Sequence, residues 1–411
     1  MKDRVTEGIT PAADAGQKPL AGLKVLDCSK VLAGPLCAQY LADMGADVIK
    51  VEHAVTGDET RAWPPFRAEG LGAVFMSANR GKRSIALDLK TSEGRGIVHR
   101  LAESSDVVIE SFGTGVAERL GIDAPTLTAV NPRIVHCSIS GFGRVGPMRN
   151  APGYDVILQA FSGVMALSGE EGGPHVRSPI SPIDQTTGIH ALAGILAALV
   201  RRGTTGQGGT VEVSLFETAL GLLGYNLQSF WEKGTEPARC GSSHESLCPY
   251  QAFEAADGPV MIGVANDGLW KRFCAVAELG EIVDDPRFAT NPARVANRPE
   301  TVARVAEAVA KRPVEFWNRE LAAVKVPCAP INGLGQMLAD PHTEAINLLV
   351  DVAIPGAGSI RAVHHPVRFD GARREAGLPP PKLGEHTAEI LAEAGFQDED
   401  VAKLRAMGAV R

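Results

Sequence analysis

The chain has little of what several common protein classes require. Its seven cysteines, at 28, 37, 137, 240, 248, 274 and 328, are odd in number and never fall as C-x-x-C. That excludes a disulfide-stapled scaffold and fits free thiols in a reducing compartment. The ten histidines form no H-x-x-x-H or H-E-x-x-H, so no metal site is expected. No basic run occurs and the net charge is −7, which argues against a nucleic-acid partner. No 18-residue apolar stretch is free of charge, so no membrane partner is expected. Residues 1–18 lack the apolar core of a signal peptide and the Arg-rich character of a transit peptide. They read as a flexible tail, and the protein as cytoplasmic. Internal repeats are missing too.

What is present is an alternation. "KVLDCS" (24–29), "DVIKVE" (47–52), "SIALDL" (84–89), "DVVIESF" (106–112) and "RIVHCSIS" (133–140) read as strands. Helical stretches at 34–46 and 92–105 separate them, the first with a glycine stop at Gly45. This pattern predicts an α/β domain with a parallel sheet and crossover helices. Residues 189–200 read as an internal helix, apolar nearly all round. "GTVEVSLFETAL" (209–220) reads as strand into helix.

From about 225 the character changes. Residues 226–250 read as turn-rich, 250–264 as a hairpin turning at Asp257-Gly258, and 268–324 as mainly helical. Residues 326–341 read as a connector, 348–370 as β-like and 383–396 as a terminal helix. The expected organisation is a tail (1–18), a large domain (19–224), an inserted smaller α+β domain (225–342) and a segment (343–411) returning to the large domain.

"GFGRVG" (141–146) matches G-x-G-x-x-G after a strand, but Pro147 and "MRNAPG" follow. No helix opens there to cap a pyrophosphate, so the dinucleotide reading is rejected.

Two carboxylates stand at the mouths of apolar helices in Gly/Pro-rich turns: Asp155 in "APGYDVILQAF" and Asp184 in "SPIDQTTGIHALAGILAAL". Asp is a favoured N-cap. Equally, a helix N-terminus favours the carboxylate anion and should lower its pKa, leaving a usable nucleophile. The residues alone leave both readings open.

A resemblance separates them. "LAGLKVLDCSKVLAGPLCAQYLADMGADVIKVEHAVTGDETR" (20–61), "NRGKRSIALDLKTSEGR" (79–95), "GYDVILQAFSGVM" (153–165), "PIDQTTGIHALAGILAAL" and "LGEHTAEIL" resemble, in order, the class III CoA-transferases of the CaiB/BaiF family. The resemblance implies a Rossmann-like large domain and two chains interlocked as a homodimer. It implies a covalent aspartyl intermediate: an acyl-aspartyl anhydride and then an aspartyl-CoA thioester, carried by Asp184. Acyl-CoA is a substrate, and no permanently bound cofactor is implied.

Residue by residue, Asp155 falls on an acidic position beside the nucleophile. Val31, Leu32 and Ala33 fall on the thioester pocket. Leu87, Lys90, Phe112, Arg119 and Tyr154 fall on CoA-contacting positions. Formyl-CoA transferases carry Gln where this chain has Leu32, and a glycine-rich cover in the small domain that this chain lacks. Related α-methylacyl-CoA racemases carry a histidine base at the position of Tyr154, and tyrosine is a poor base at neutral pH. "GSSHESLCPYQAF" (241–253) is similar to a stretch of the succinyl-CoA:dicarboxylate transferases, which makes Ser242, Ser243 and His244 candidate ligands for a distal carboxylate. The expected activity is transfer of CoA from succinyl-CoA to a C4–C6 dicarboxylic acid. A racemase and a non-catalytic CoA-binding protein are the alternatives.

Overall fold

The computed structural model describes residues 18–68, 70–356, 358–373 and 377–411. All but the last residue of the expected flexible tail lies outside the described residues. Contacts divide the chain into two compact units. The large unit gathers residues up to Ser162, Pro179–Gly224 and Ile346–Arg411, and the small unit gathers Gly163–Ser178 and Tyr225–Ala345. Residues 163–178 thus group with the small unit, not with the large one as the sequence reading had them.

In the large unit six strands form one wholly parallel sheet: β1 (Lys24–Cys28), β2 (Asp47–His53), β3 (Lys82–Leu87), β4 (Val107–Glu110), β5 (Val135–Ser140) and β6 (Gly209–Ser214). Their order is β3-β2-β1-β4-β5-β6. The strands are short Val/Ile runs because both faces are covered. Alternate side chains serve opposite faces. Val25, Val107 and Ile109 join one core cluster, with residues of α1 (Ala33–Asp43). Leu26 and Val108 join the other, with α2 (Ser92–Ala102) and the C-terminal helices. Thr91 starts α2 by accepting the Gly94 N–H at 3.0 Å. The sheet's winding reverses between β1 and β4, and a crevice opens beyond their carboxyl ends, where such folds bind ligands.

Three further helices complete this unit's site: α3 (Asp155–Phe161), α4 (Pro182–Thr205) and α5 (Leu215–Leu223). The prediction of an internal α4 needs correcting. Its inner face packs on α1 and the sheet, but Ile189 is 48% and Val200 75% exposed. The helix is long and apolar enough to cross a membrane, with a mean hydropathy of 1.3. Only its buried stripe is committed to the core of this chain.

The small unit carries β7 (Tyr250–Ala255), β8 (Gly258–Gly263) and β9 (Cys328–Pro330) in one antiparallel sheet, with its own core around Trp270, Phe273 and Trp317. Strand β9 lies inside the stretch read as a connector. Residues Tyr225–Lys233 are helical, where the sequence reading expected turns. In the large unit β10 (Leu349–Ile354) and β11 (Gly358–Val363) form a hairpin. A last helix, Asp398–Ala406, follows the expected one at Thr387–Glu393.

Candidate active site

A cavity of about 380 Å³ lies beyond the carboxyl ends of β1, β4, β5 and β6. Val31, Leu32, Ala33, Phe112, Tyr154 and Asp184 all line it. Four segments distant in sequence therefore meet where the fold predicts a site.

Two glycines set the spacing. Asp184 stands in the first turn of α4, and Gly188 lies one turn on, on the same face. A Cβ at Gly188 would come within 2.7 Å of the Ala33 carbonyl oxygen. Only glycine lets α4 press against the start of α1, and that contact brings Asp184 beside residues 31–33. Gly141 and Gly153 likewise meet backbone to backbone, a Cβ on Gly141 falling 2.9 Å from the Gly153 Cα. They close residues 142–152 into a loop immediately before Tyr154 and Asp155. Arg144 pins this loop to the sheet, donating to Glu110 (2.8 Å), Ser138 and the Phe112 carbonyl. This is the rejected G-x-G-x-x-G stretch. No helix starts between Gly141 and Asp155, and the loop walls the cavity.

The cap of α4 is Asp155, not Asp184. The Asp155 carboxylate accepts the N–H groups of Ile183 (2.8 Å) and Asp184 (3.0 Å), and the side-chain amide of Gln159. Ser181, at the usual cap position, is left-handed (φ +49°) and caps nothing with its side chain. Asp184 is buried, and among the described residues no hydrogen bond or ion pair holds its carboxylate. Burial, and then the Asp155 charge, push its pKa up to about 7. The sequence expectation of a lowered pKa is therefore corrected: the helix N–H groups serve the neighbouring carboxylate. A carboxyl group with this pKa is about half ionised at neutral pH and more basic than usual as the anion.

A second cavity, about 460 Å³, lies beyond the carboxyl ends of β1, β2 and β3. Leu87, Lys90 and Phe112 line it, and Phe112, Lys30 and Glu59 border both cavities. Arg119 is exposed and does not line it; its neighbour Leu120 does. The site residues that sequence reasoning missed are Arg144 and Arg149 in the first cavity and His53 in the second. Their signal was position, since His53 ends β2 and both arginines lie in the loop that follows β5. A larger cavity, about 570 Å³, is lined by Tyr40, Met76 and Ile360 and contains neither carboxylate.

Tyr154 is half exposed, and its hydroxyl reaches Glu59 at 3.4 Å. Burial and then Glu59 push its pKa further up, away from any basic role. In the small unit the three candidate carboxylate ligands are engaged in their own loop. Ser242 Oγ accepts the Ala252 N–H, Ser243 Oγ donates to the Cys240 carbonyl, and His244 stacks on Tyr225. Ser242 and Ser243 border a cavity of about 370 Å³ with Arg239 and Arg298, which His244 does not line. Among the described residues no group of three or more His, Cys, Asp or Glu could hold a metal ion.

Fold and site together define a doubly wound α/β protein with a buried carboxylate, Asp184, lining a cavity beyond the carboxyl ends of its parallel strands. Residues 20–387 match CoA-transferase family III. The chain is 40% identical over 385 residues to the succinate–glutarate CoA-transferase of Agrobacterium fabrum, covering 91% of this chain and 95% of that protein. It is 38% identical over 385 residues to the succinyl-CoA:mesaconate CoA-transferase of Haloarcula hispanica, covering 92% and 96%. A CaiB/BaiF family crystal structure from Brucella suis superposes with a TM-score of 0.82 at 38% identity, covering 92% of this chain and 100% of that one. The chain belongs to CoA-transferase family III. It is an enzyme, a class III CoA-transferase.

Proposed function

We propose that this enzyme carries CoA from succinyl-CoA to a C4–C6 dicarboxylic acid through a covalent bond to Asp184. The observation that carries the reading is the Asp184 carboxylate, buried and uncompensated beside residues 31–33 at the switch point. The named relatives, which act on glutarate and mesaconate, support the acceptor class.

In this mechanism Asp184 attacks the thioester carbonyl carbon. The C–S bond breaks, leaving a mixed anhydride and CoA thiolate. The thiolate then attacks the Asp184 carbonyl carbon and expels the donor acid, which leaves an aspartyl-CoA thioester. The acceptor carboxylate attacks that carbonyl and frees the thiolate again. The thiolate takes the acceptor's acyl carbon from the new anhydride and regenerates the Asp184 carboxylate. Both anhydrides must be kept from water, and the loop 142–152, pinned by Arg144, walls the cavity for this purpose. Asp155 holds the start of α4 and keeps Asp184 basic. CoA lies across both cavities, its nucleotide end by Leu87 and Lys90 and its thioester by Val31, Leu32 and Ala33. Tyr154 lies at the position where racemases hold a histidine base, and its raised pKa disfavours that chemistry.

The working form is a homodimer in the cytoplasm. Val156, Ile157 and Phe161 of α3 and Ile189 and Val200 of α4 leave an apolar face exposed in one chain, and a second copy would cover it.

Succinyl-CoA with hydroxylamine should leave a hydroxamate on the peptide containing Asp184, read by mass spectrometry. Asp184→Ala should lose transfer to C4–C6 diacids by about a thousandfold or more. Full activity in that variant would sink the mechanism. α-Deuterium exchange into an acyl-CoA at a catalytic rate, without an acceptor acid, would point to a racemase.

A further inference from the structure

The three residues that leave β1 at the switch point are tied down one peptide after another. The Ser29 N–H donates to Asp27 Oδ1 at 3.0 Å, and its carbonyl accepts Lys50 Nζ at 3.1 Å. The Lys30 N–H donates to Ser111 Oγ, past the end of β4, at 3.0 Å. The Val31 N–H donates to the Asp58 carboxylate, at 3.2 Å to Oδ2 and 3.4 Å to Oδ1.

Val31 needs such a hold. Its φ is +70°, a left-handed conformation that a β-branched residue rarely adopts. Strain of this kind persists only where the surroundings over-determine it. Those surroundings are a fully buried run of alternating charge. Asp58 meets Lys50 at 3.1 Å, Lys50 lies 3.9 Å from Asp27, and Asp27 meets Lys82 at 2.8 Å. Asp58 is fixed again by the N–H and hydroxyl of Thr60, at 3.0 and 2.8 Å. Buried ion pairs are poor stabilisers compared with apolar packing, so stability does not explain them.

Their position does. Immediately after Val31, α1 begins, and Leu32, Ala33 and Gly34 line the cavity that holds Asp184. Among the described residues nothing accepts the N–H groups of Ala33 and Gly34, the free donors of a helix's first turn. The direction in which they point follows from the turn at Val31.

We infer that Asp58, seated on Lys50, is a positioning residue: it holds Val31 in its left-handed turn and so aims the start of α1 at the thioester site beside Asp184. The inference rests on the CoA-transferase mechanism above. Neither Asp58 nor Lys50 touches the reacting atoms.

The test is a double-mutant cycle between Asp58→Ala and Val31→Gly. Glycine takes a positive φ without help, so removing the clamp should matter less once Val31 is glycine. Asp58→Ala in the otherwise natural chain should lower kcat by about 100-fold, as small misplacements in active sites do. In the Val31→Gly background the same substitution should cost within about 10-fold. Asp58→Asn, which keeps an acceptor oxygen, should fall between and carries the comparison if Asp58→Ala does not fold. Equal losses in both backgrounds would overturn the inference, as would losses that follow the melting temperature alone. CoA affinity, by calorimetric titration of the same variants, gives a readout independent of turnover. If the natural enzyme transferred CoA to no acid, the mechanism would fail. The clamp would then be judged on whether Val31→Gly shrinks the affinity loss caused by Asp58→Ala.

Discussion

Two parts of one crevice treat buried charge in opposite ways. Under β1–β3 every buried ion has a partner: Asp27 with Lys82, Asp58 with Lys50, Glu52 with Arg61 through two 2.7 Å bonds. Burial pulls Lys82 down to about 8. Asp27 stays below its usual range although burial works against it, because Lys82 and then Lys50 favour its anion. Beyond β5 and β6, Asp155 and Asp184 lie side by side with no ion-pair partner among the described residues, and Asp184 rises to about 7. The first arrangement fixes geometry. The second leaves a basic, poorly solvated carboxylate lining a cavity. Perturbed groups of the second kind mark functional sites.

Mutation can break or sharpen this contrast. Lys82→Met leaves Asp27 with Lys50 alone, 3.9 Å away. It should destabilise the chain by about 3–5 kcal/mol in urea unfolding; a neutral result would dissolve the contrast. Asp184→Asn should do the reverse at high pH. A raised Asp pKa means the native state holds a proton that the unfolded chain has lost. The natural protein therefore loses stability as pH rises from about 4 through about 7. Asp184→Asn should escape that loss, gaining roughly 3 kcal/mol over the natural chain at pH 8 relative to pH 4, read from melting at both pH values. Asp155→Asn removes the neighbouring charge but keeps an oxygen for the α4 N–H groups. The acid limb of the pH–rate profile, near 7 in the natural enzyme, should move to lower pH, with a roughly tenfold gain in rate on that limb. An unmoved limb would show that burial alone sets Asp184.

Much of this was legible in the chain. Five of the six sheet strands read as short Val/Ile runs between helices, and "GTVEVS" gave the sixth. Both carboxylates stood out against apolar helices. What stayed hidden depended on contacts across the sequence. Asp184 looked like a cap because only its own helix is visible in a sequence. The true cap comes from Asp155, in another helix. Arg144 lay in a motif rejected for the right reason, yet its side chain reaches back to Glu110. The outward face of α4 misled because an apolar side chain does not say whether its own chain or another covers it. Helix Tyr225–Lys233 was missed because its polar composition outweighed its length.

The meeting of Gly141 and Gly153 has a consequence for how such an enzyme could diversify. Because the ends of the loop touch, its span is independent of the number of residues between them. Residues 142–152 form a cassette that could be lengthened, shortened or exchanged while β5 on one side and Asp155 on the other keep their places. The wall of the cavity that holds Asp184 can then vary while the ends of the loop stay in place. For redesign of this cavity's wall, the loop is the place to graft.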